Sequence, residues 1–188
     1  IKQAFTLEQA TKLDLLEQDN NRLRKLLSIQ NSSKAGTISA PVVSRQEKGW
    51  SQQLELGKGK LDGIAPGDVV MAPGGLLGVI TSVTPMTSRV RLLTSPGSRL
   101  GVWVPRIKKH GLLIGIGTNR PQLELLGKTP DIKVGDMVST SPASTILLPN
   151  LPVGVIQSLD KTALPAPKGL VQLLAAPHAI DWVQIAKP

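Results

Sequence analysis

An internal repeat is the feature that most limits how this chain can fold. Four short elements occur twice in the same order, once in the middle of the chain and once near its end. The paired segments are 64–70 with 132–138, 78–83 with 154–159, 90–96 with 171–177, and Trp103-Val104 with Trp182-Val183. Elements repeated in a fixed order predict a duplicated unit, in which each copy builds the same small fold.

The repeated region has the pattern of antiparallel β-strands. From Thr37 onward, short runs rich in Leu and β-branched residues are broken about every 8 to 12 residues by Gly, Pro, Asp or Ser, as in small barrels and sandwiches. The candidate strands are 38–45, 50–57, 69–72, 77–83, 88–94, 100–105, 112–116, 122–126, 137–140, 153–159, 170–175 and 181–186. The sequence therefore predicts a mainly β fold, with an N-terminal coiled-coil helix followed by two repeated small antiparallel β-barrel units.

The predicted domains are a coiled-coil helix over 1–34, a first barrel unit over 35–115 and a second over 116–188. At this point it stays open whether each barrel is contiguous in sequence or the two exchange strands. The repeated Gly-Asp pairs fit turns better than ligand sites, because glycine tolerates positive φ and an aspartate carboxylate can accept hydrogen bonds from nearby backbone amides.

The N-terminal residues follow a heptad pattern that favours self-association. Leucines and one asparagine occupy the a and d positions of this heptad, and an asparagine at position a fixes register and favours two strands. The residues of this seam are Leu13, Leu16, Asn20, Leu23 and Leu27. The alternative is a single amphipathic helix, because Leu15 and Leu26 widen the apolar stripe.

The two copies of the repeat differ by an insertion. The second copy carries eight extra residues, which fall within 141–151. Two interpretations stay open: a lid over its own barrel, or a loop that binds a partner. We predict the partner surface here and on the neighbouring strand, with Leu123, Leu125, Ile146, Leu147 and Leu148 as its contact residues.

The formal net charge of +9 is concentrated in residues 35–110. The predicted basic patch consists of Arg89, Arg91, Arg99, Arg106, Lys108 and Lys109. Such a patch suits nucleic acid, anionic lipid or an acidic polymer. The alternative is an ordinary solvated sheet face.

The sequence offers little material for catalysis. It has no cysteine, which excludes disulfides, thiolate nucleophiles and Cys-based metal sites. Its two histidines, His110 and His178, lack the spacing of a zinc site. Ser158 and Lys161 match S-x-x-K, but that nucleophile belongs at the start of a helix and this segment leaves a predicted strand. We therefore predict no catalytic, metal-binding or cofactor-binding residue.

Aromatic residues are also scarce. The chain has no tyrosine, one phenylalanine and three tryptophans, whereas proteins that bind single-stranded nucleic acid hold the bases on aromatic side chains. We predict that Trp103 and Trp182, which occupy matching repeat positions, are each buried in their own barrel. A basic small-barrel protein that binds single-stranded nucleic acid remains the alternative function.

The order of the motifs resembles one known family. The motifs are Gly63-Ile-Ala-Pro-Gly-Asp-Val-Val70, Gly75-Leu-Leu-Gly78-Val, Ser88-Arg-Val-Arg-Leu-Leu93, His110-Gly-Leu-Leu-Ile-Gly115 and Val134-Gly-Asp-Met-Val-Ser-Thr-Ser141. After a coiled coil, this arrangement resembles the bacterial rod shape-determining MreC family over nearly the whole chain. The chain departs from the family pattern at Pro142 and at Leu148-Pro149, where the family usually has Gly and Phe-Pro.

The resemblance implies a non-enzymatic cell-shape scaffold that organises peptidoglycan synthesis. It implies a periplasmic body, anchored in the bacterial inner membrane by a transmembrane helix that would precede Ile1. The implied partners are a class B penicillin-binding transpeptidase, the membrane protein MreD and further MreC copies in a homodimer. Whether such dimers extend into filaments stays open. We predict no cofactor, and the scarcity of aromatic side chains predicts no nucleic-acid partner.

Overall fold

The computed structural model describes residues 9–19, 36–46, 52–127 and 131–188. The chain divides into two compact units, Ile1–Ala35 and Gly36–Pro188. Within the first unit, residues 9–19 form a helix, as predicted for this segment. No helix in the described ranges is long and apolar enough to cross a bilayer.

Within the described residues, the second unit contains twelve strands, one for each candidate strand in the sequence. They are β1 (Ile38–Gln46), β2 (Gln53–Leu56), β3 (Val69–Ala72), β4 (Gly75–Val83), β5 (Ser88–Leu92), β6 (Arg99–Val104), β7 (Lys109–Ile114), β8 (Gln122–Leu125), β9 (Met137–Thr140), β10 (Pro152–Asp160), β11 (Lys168–Leu173) and β12 (Trp182–Ala186). Short 3₁₀ turns occupy Lys60–Asp62 and Pro177–Ala179. All strand pairs are antiparallel, as predicted.

The strands close two six-stranded barrels, which confirms the predicted fold class. The first barrel has the order β1-β12-β3-β4-β5-β2, and the second has the order β10-β11-β8-β7-β6-β9. The barrels therefore do not coincide with the predicted units 35–115 and 116–188. Strands β6 and β7 belong to the second barrel although they precede residue 115, and β12 returns to the first barrel.

The two copies of the repeat exchange their final strands. Strands β1–β5 correspond to β7–β11, because equivalent strands have equivalent neighbours in the two barrels. The sixth strand of each copy, β6 or β12, crosses to the barrel of the other copy. A further marker of this correspondence is the sequence Gln-Leu-Glu-Leu, which forms both β2 and β8.

The barrels share an apolar contact as well as exchanged strands. Val69 and Leu76, from strands of the first barrel, belong to the core cluster of the second barrel. The backbones also approach closely, since a Cβ atom built on Gly75 would lie 2.3 Å from the carbonyl oxygen of Pro152. Residues 36–188 thus form one packed body rather than two barrels on a flexible linker.

Candidate partner-binding surfaces

The two repeated aspartates serve the same structural purpose in each barrel. Asp68 and Asp136 each follow a glycine with a φ of +94°, and each accepts a hydrogen bond of 2.9 Å from the backbone nitrogen three residues earlier. Each carboxylate also pairs with a cation: Lys187 Nζ lies 2.8 Å from Asp68, and Arg106 Nη2 lies 2.7 Å from Asp136. The repeated Gly-Asp pairs are turn anchors, as predicted.

Arg106 also sets the electrostatics of this turn. Its hydrogen bonds to Asp136 hold the pKa of that carboxyl below its ordinary value, against the opposing effect of burial. The same pair raises the pKa of Arg106. This arginine, predicted as part of a basic patch, is therefore engaged in fixing the turn before β9.

The other predicted patch residues are spread over the two barrels. Arg89 and Arg91 lie on β5 of the first barrel, opposite Glu55 and Gln53 of β2. The rest, Arg99, Arg106, Lys108 and Lys109, lie along the β6–β7 hairpin of the second barrel. Arg99 begins β6 and Lys109 begins β7, at opposite ends of their ladder, about 17 Å apart at the usual rise per residue. The basic residues therefore do not form one compact patch.

Strand β8 presents polar residues to solvent and hides its leucines. Leu123 and Leu125 are buried in the second core, so their prediction as partner contacts is wrong. The outward side chains are Gln122 and Glu124, which alternate with the leucines as the strand period requires. Lys168 forms a 2.9 Å ion pair with Glu124 and holds the pKa of that carboxyl below its usual value.

The aliphatic side chains of the insertion lie in different environments. Leu147 is 8% exposed and belongs to the second core, which makes it a lid residue and contradicts its prediction as a partner contact. Ile146, next to it, is 77% exposed. Leu148 is partly buried. The loop thus turns one aliphatic side chain inward and its neighbour outward.

Hydrogen bonds fix the insertion at its base and within its turn. Thr140 Oγ1 donates to the carbonyl of Leu148 at 2.7 Å and accepts from the nitrogen of Leu151 at 2.8 Å. Ser144 Oγ accepts from the nitrogen of Leu147 at 3.0 Å. Ile146 is therefore displayed on a loop that the barrel holds in place.

The predicted self-association seam is described only in part. Leu13 and Leu16 lie on the helix of residues 9–19 and are exposed there. Asn20, Leu23 and Leu27 lie outside the described residues. The coiled coil stays a prediction, supported by two exposed leucines at the spacing of positions a and d.

The two matching tryptophans have different surroundings. Trp103 is half-buried, and its ring centroid lies 4.5 Å from that of His110. Trp182 is 60% exposed, so the prediction that it fills the core of a barrel is wrong. It lines a groove of about 470 Å³ on the first barrel. The indole faces outward because its neighbour Val183 takes the inward position on β12.

The described residues give no geometric indication of catalysis at the sites considered in the sequence. Ser158 is exposed on strand β10 rather than at the start of a helix. No group of three or more His, Cys, Asp or Glu side chains in the described ranges is placed to hold a metal ion. The features that stand out are surfaces: the displayed Ile146 and the groove beside Trp182.

Comparisons with known proteins agree with this architecture. The family described as "Rod shape-determining protein MreC, barrel core" matches residues 42–187. The cell shape-determining protein MreC of Cereibacter sphaeroides is 33% identical over 177 residues, covering 92% of this chain and 59% of that protein.

Solved structures show the same fold. MreC of Listeria monocytogenes has a TM-score of 0.81 at 26% identity, covering 96% of this chain and 91% of that one. A complex between penicillin-binding protein PBP2 and MreC from Helicobacter pylori contains a chain with a TM-score of 0.63 at 12% identity, covering 81% of this chain and 98% of that one.

The relatives are longer than the chain described here. It spans between 39% and 64% of the length of the curated relatives it matches. The family match nonetheless runs from β1 to the residue after β12 and so includes both barrels and the exchanged strands. The chain therefore belongs to the MreC family of rod shape-determining proteins.

Proposed function

We propose that this chain is a non-enzymatic scaffold that organises peptidoglycan synthesis during cell elongation. It acts on the extracytoplasmic side of the inner membrane, where it holds a class B penicillin-binding transpeptidase. Membership of the MreC family supports the role in cell shape. A fold neighbour solved in complex with PBP2 supports the choice of partner class. The location and the partner MreD rest on the family resemblance.

The display of Ile146 is the observation that carries this proposal. An exposed aliphatic side chain on a fixed loop suits binding, because little conformational freedom is lost when the partner arrives. The loop is fixed by the paired hydrogen bonds of Thr140 and by the burial of Leu147. The first copy of the repeat lacks this insertion, so the exposed Ile146 has no counterpart in the first barrel.

The proposal is tested by replacing Ile146 with Ser in the full chain and measuring binding of a purified class B transpeptidase by biolayer interferometry. A central apolar contact is worth about 2 kcal/mol, so affinity should fall about 30-fold. The melting temperature should stay unchanged, because the side chain is already exposed.

Leu61 provides the matched control. It is 81% exposed on a 3₁₀ turn of the first barrel, outside the insertion. The variant Leu61→Ser should bind the transpeptidase like the parent chain. Equal affinity of parent and Ile146→Ser would overturn the assignment of this loop, and absence of transpeptidase binding by the parent would overturn the proposed function.

Self-association is proposed to use the N-terminal helix. The exposed Leu13 and Leu16 would pack against the same residues of a second copy in a parallel homodimer. Sedimentation equilibrium of the double variant Leu13→Ser, Leu16→Ser should show weaker association than the parent. Identical behaviour of the two would remove the helix from the dimer interface.

The nucleic-acid alternative receives no support from the described surfaces. The basic residues of the predicted patch are distributed over the two barrels, and Arg106 is paired with Asp136. Trp103 is covered on one side by His110, which leaves Trp182 as the exposed indole among the described residues. One isolated ring does not build a stacking track for successive bases.

A further inference from the structure

The groove beside Trp182 is lined by uncharged residues around an exposed indole. We call it the Trp182 groove. It is lined by Ser39, Met71, Ala72, Pro73, Trp182, Val183 and Gln184. None of these residues is charged, although the chain carries a formal net charge of +9. Its volume of about 470 Å³ lies within the range of sites for small molecules, roughly 300 to 1,000 Å³.

The strand register places polar groups beside the indole. Trp182 lies opposite Pro41 of β1, and Gln184 lies opposite Ser39 of β1 and Met71 of β3. Residues two apart on a strand share a face, so the indole and the Gln184 amide both project outward from β12. The groove therefore combines an exposed aromatic surface with a neutral hydroxyl and a neutral amide.

The repeat shows that this exposure is not required by the barrel. Trp103 occupies the matching position in the second barrel, where its cross-strand neighbour is His110 and the two rings are in contact. In the first barrel the cross-strand neighbour is Pro41, and Trp182 remains 60% exposed. The same fold thus accommodates an indole in contact with a neighbouring ring in one copy and an exposed indole in the other.

From these observations we infer that the Trp182 groove binds a neutral glycan, with a pyranose ring lying on the indole. The apolar C–H face of a sugar ring matches the aromatic surface, and its hydroxyl groups match the donors and acceptors of Ser39 and Gln184. A glycan needs no charged partner, in agreement with the uncharged lining. This inference goes beyond the scaffold role and does not depend on transpeptidase binding.

Other ligand classes fit the groove less well. An anionic ligand would find no cation among the lining residues. A peptide could not join the sheet as an added strand, because β1, β12 and β3 are each paired on both sides in the closed barrel. A folded protein that docks through side chains alone remains as a distinct outcome of the test.

The test uses the full chain with chitotetraose and cellotetraose as probes, followed by tryptophan fluorescence and isothermal titration calorimetry. We expect binding of at least one probe with a Kd of about 0.1 to 1 mM and a blue shift in emission. Trp182→Leu should weaken binding at least tenfold, whereas Trp182→Phe should retain most of it. Ile146→Ser should bind the probe like the parent.

Any of three results would overturn the inference. The first is the absence of binding by the parent chain with either probe at about 10 mM, and the second is equal binding of a probe by parent and Trp182→Leu. The third is loss of transpeptidase binding in Trp182→Leu without any sugar binding by the parent, which would assign the groove to a protein. Circular dichroism of each variant separates these results from a failure to fold.

Discussion

Replacing Leu147 with Ala should destabilise the second barrel, although the residue lies in a loop. Its side chain is 8% exposed and belongs to the same core cluster as Val138 and Val153. The change removes three carbons, at about 0.8 kcal/mol for each buried group, or about 2 kcal/mol in all. The cavity left behind adds to this loss, so we expect a total of about 2 to 4 kcal/mol.

Ile146→Ala is the matched control, because it shortens the neighbouring side chain in the same loop. Ile146 is exposed, and its truncation should change the free energy of unfolding by about 0.5 kcal/mol or less. Urea unfolding followed by far-UV circular dichroism measures both variants. For a unit of this size, the loss at Leu147 corresponds to a fall in Tm of about 5 to 15 °C.

The comparison between the two variants decides whether the insertion closes its own barrel. If Leu147→Ala unfolds at the same urea concentration as Ile146→Ala, the inward side chain contributes nothing to the core and the reasoning from burial is refuted. If both variants are strongly destabilised, Ile146 must be buried rather than exposed. The proposed partner surface would then lose the exposed side chain on which it is based.

Three further predictions concern the barrels. Because Arg106 lowers the pKa of Asp136, the unfolded chain binds more protons than the folded one in the acid range, so this pair stabilises the fold above about pH 4 and its contribution is lost as pH falls. Asp136→Asn should reduce the acid dependence of urea unfolding, and an unchanged pH profile would contradict this. Gly75→Ala should cost about 1 to 3 kcal/mol in thermal unfolding because the barrels touch there, whereas the control Gly101→Ala has open space and should cost less; equal costs would argue against the close contact. Ser88→Ala should leave stability unchanged or raise it by up to about 1 kcal/mol, because the buried Ser88 hydroxyl has no partner among the described atoms; a clear loss in urea unfolding would reveal one.

The sequence predicted the strands and the duplication well, because both leave local signals. Strand period and turn residues mark each element, and the repeat gives the correspondence between copies. The strand pairing that closes the first barrel leaves no such local signal, because it joins strands that are far apart in sequence. Strand β12 joins β1, so that Ile185 lies opposite Ile38, and no local pattern encodes a contact over that separation. The boundary at 115/116 failed for this reason.

The errors in the predicted contact surface have two physical sources. Leu123 and Leu125 alternate with polar residues, and this period alone places them on the core face of a strand. Nearness to the insertion in sequence does not change the face on which these leucines lie. The exposure of Trp182 follows from the same period, because Val183 and Ile185 take the core face of β12. The orientation of Leu147 depends on how its loop closes over the barrel, which has no periodic signal.

The exchanged strands limit the relative movement of the two barrels, which matters for the proposed scaffold role. Domains joined by a linker normally move relative to each other, and two surfaces on such domains would have no fixed separation. Here β6 completes the second barrel and β12 completes the first, so neither barrel can close without a strand from the other copy of the repeat. The close approach of Gly75 to Pro152 and the shared apolar cluster around Leu76 further restrict movement. The displayed Ile146 and the Trp182 groove are thus carried by one body, so partners bound at these two proposed surfaces would be held in a defined position relative to each other.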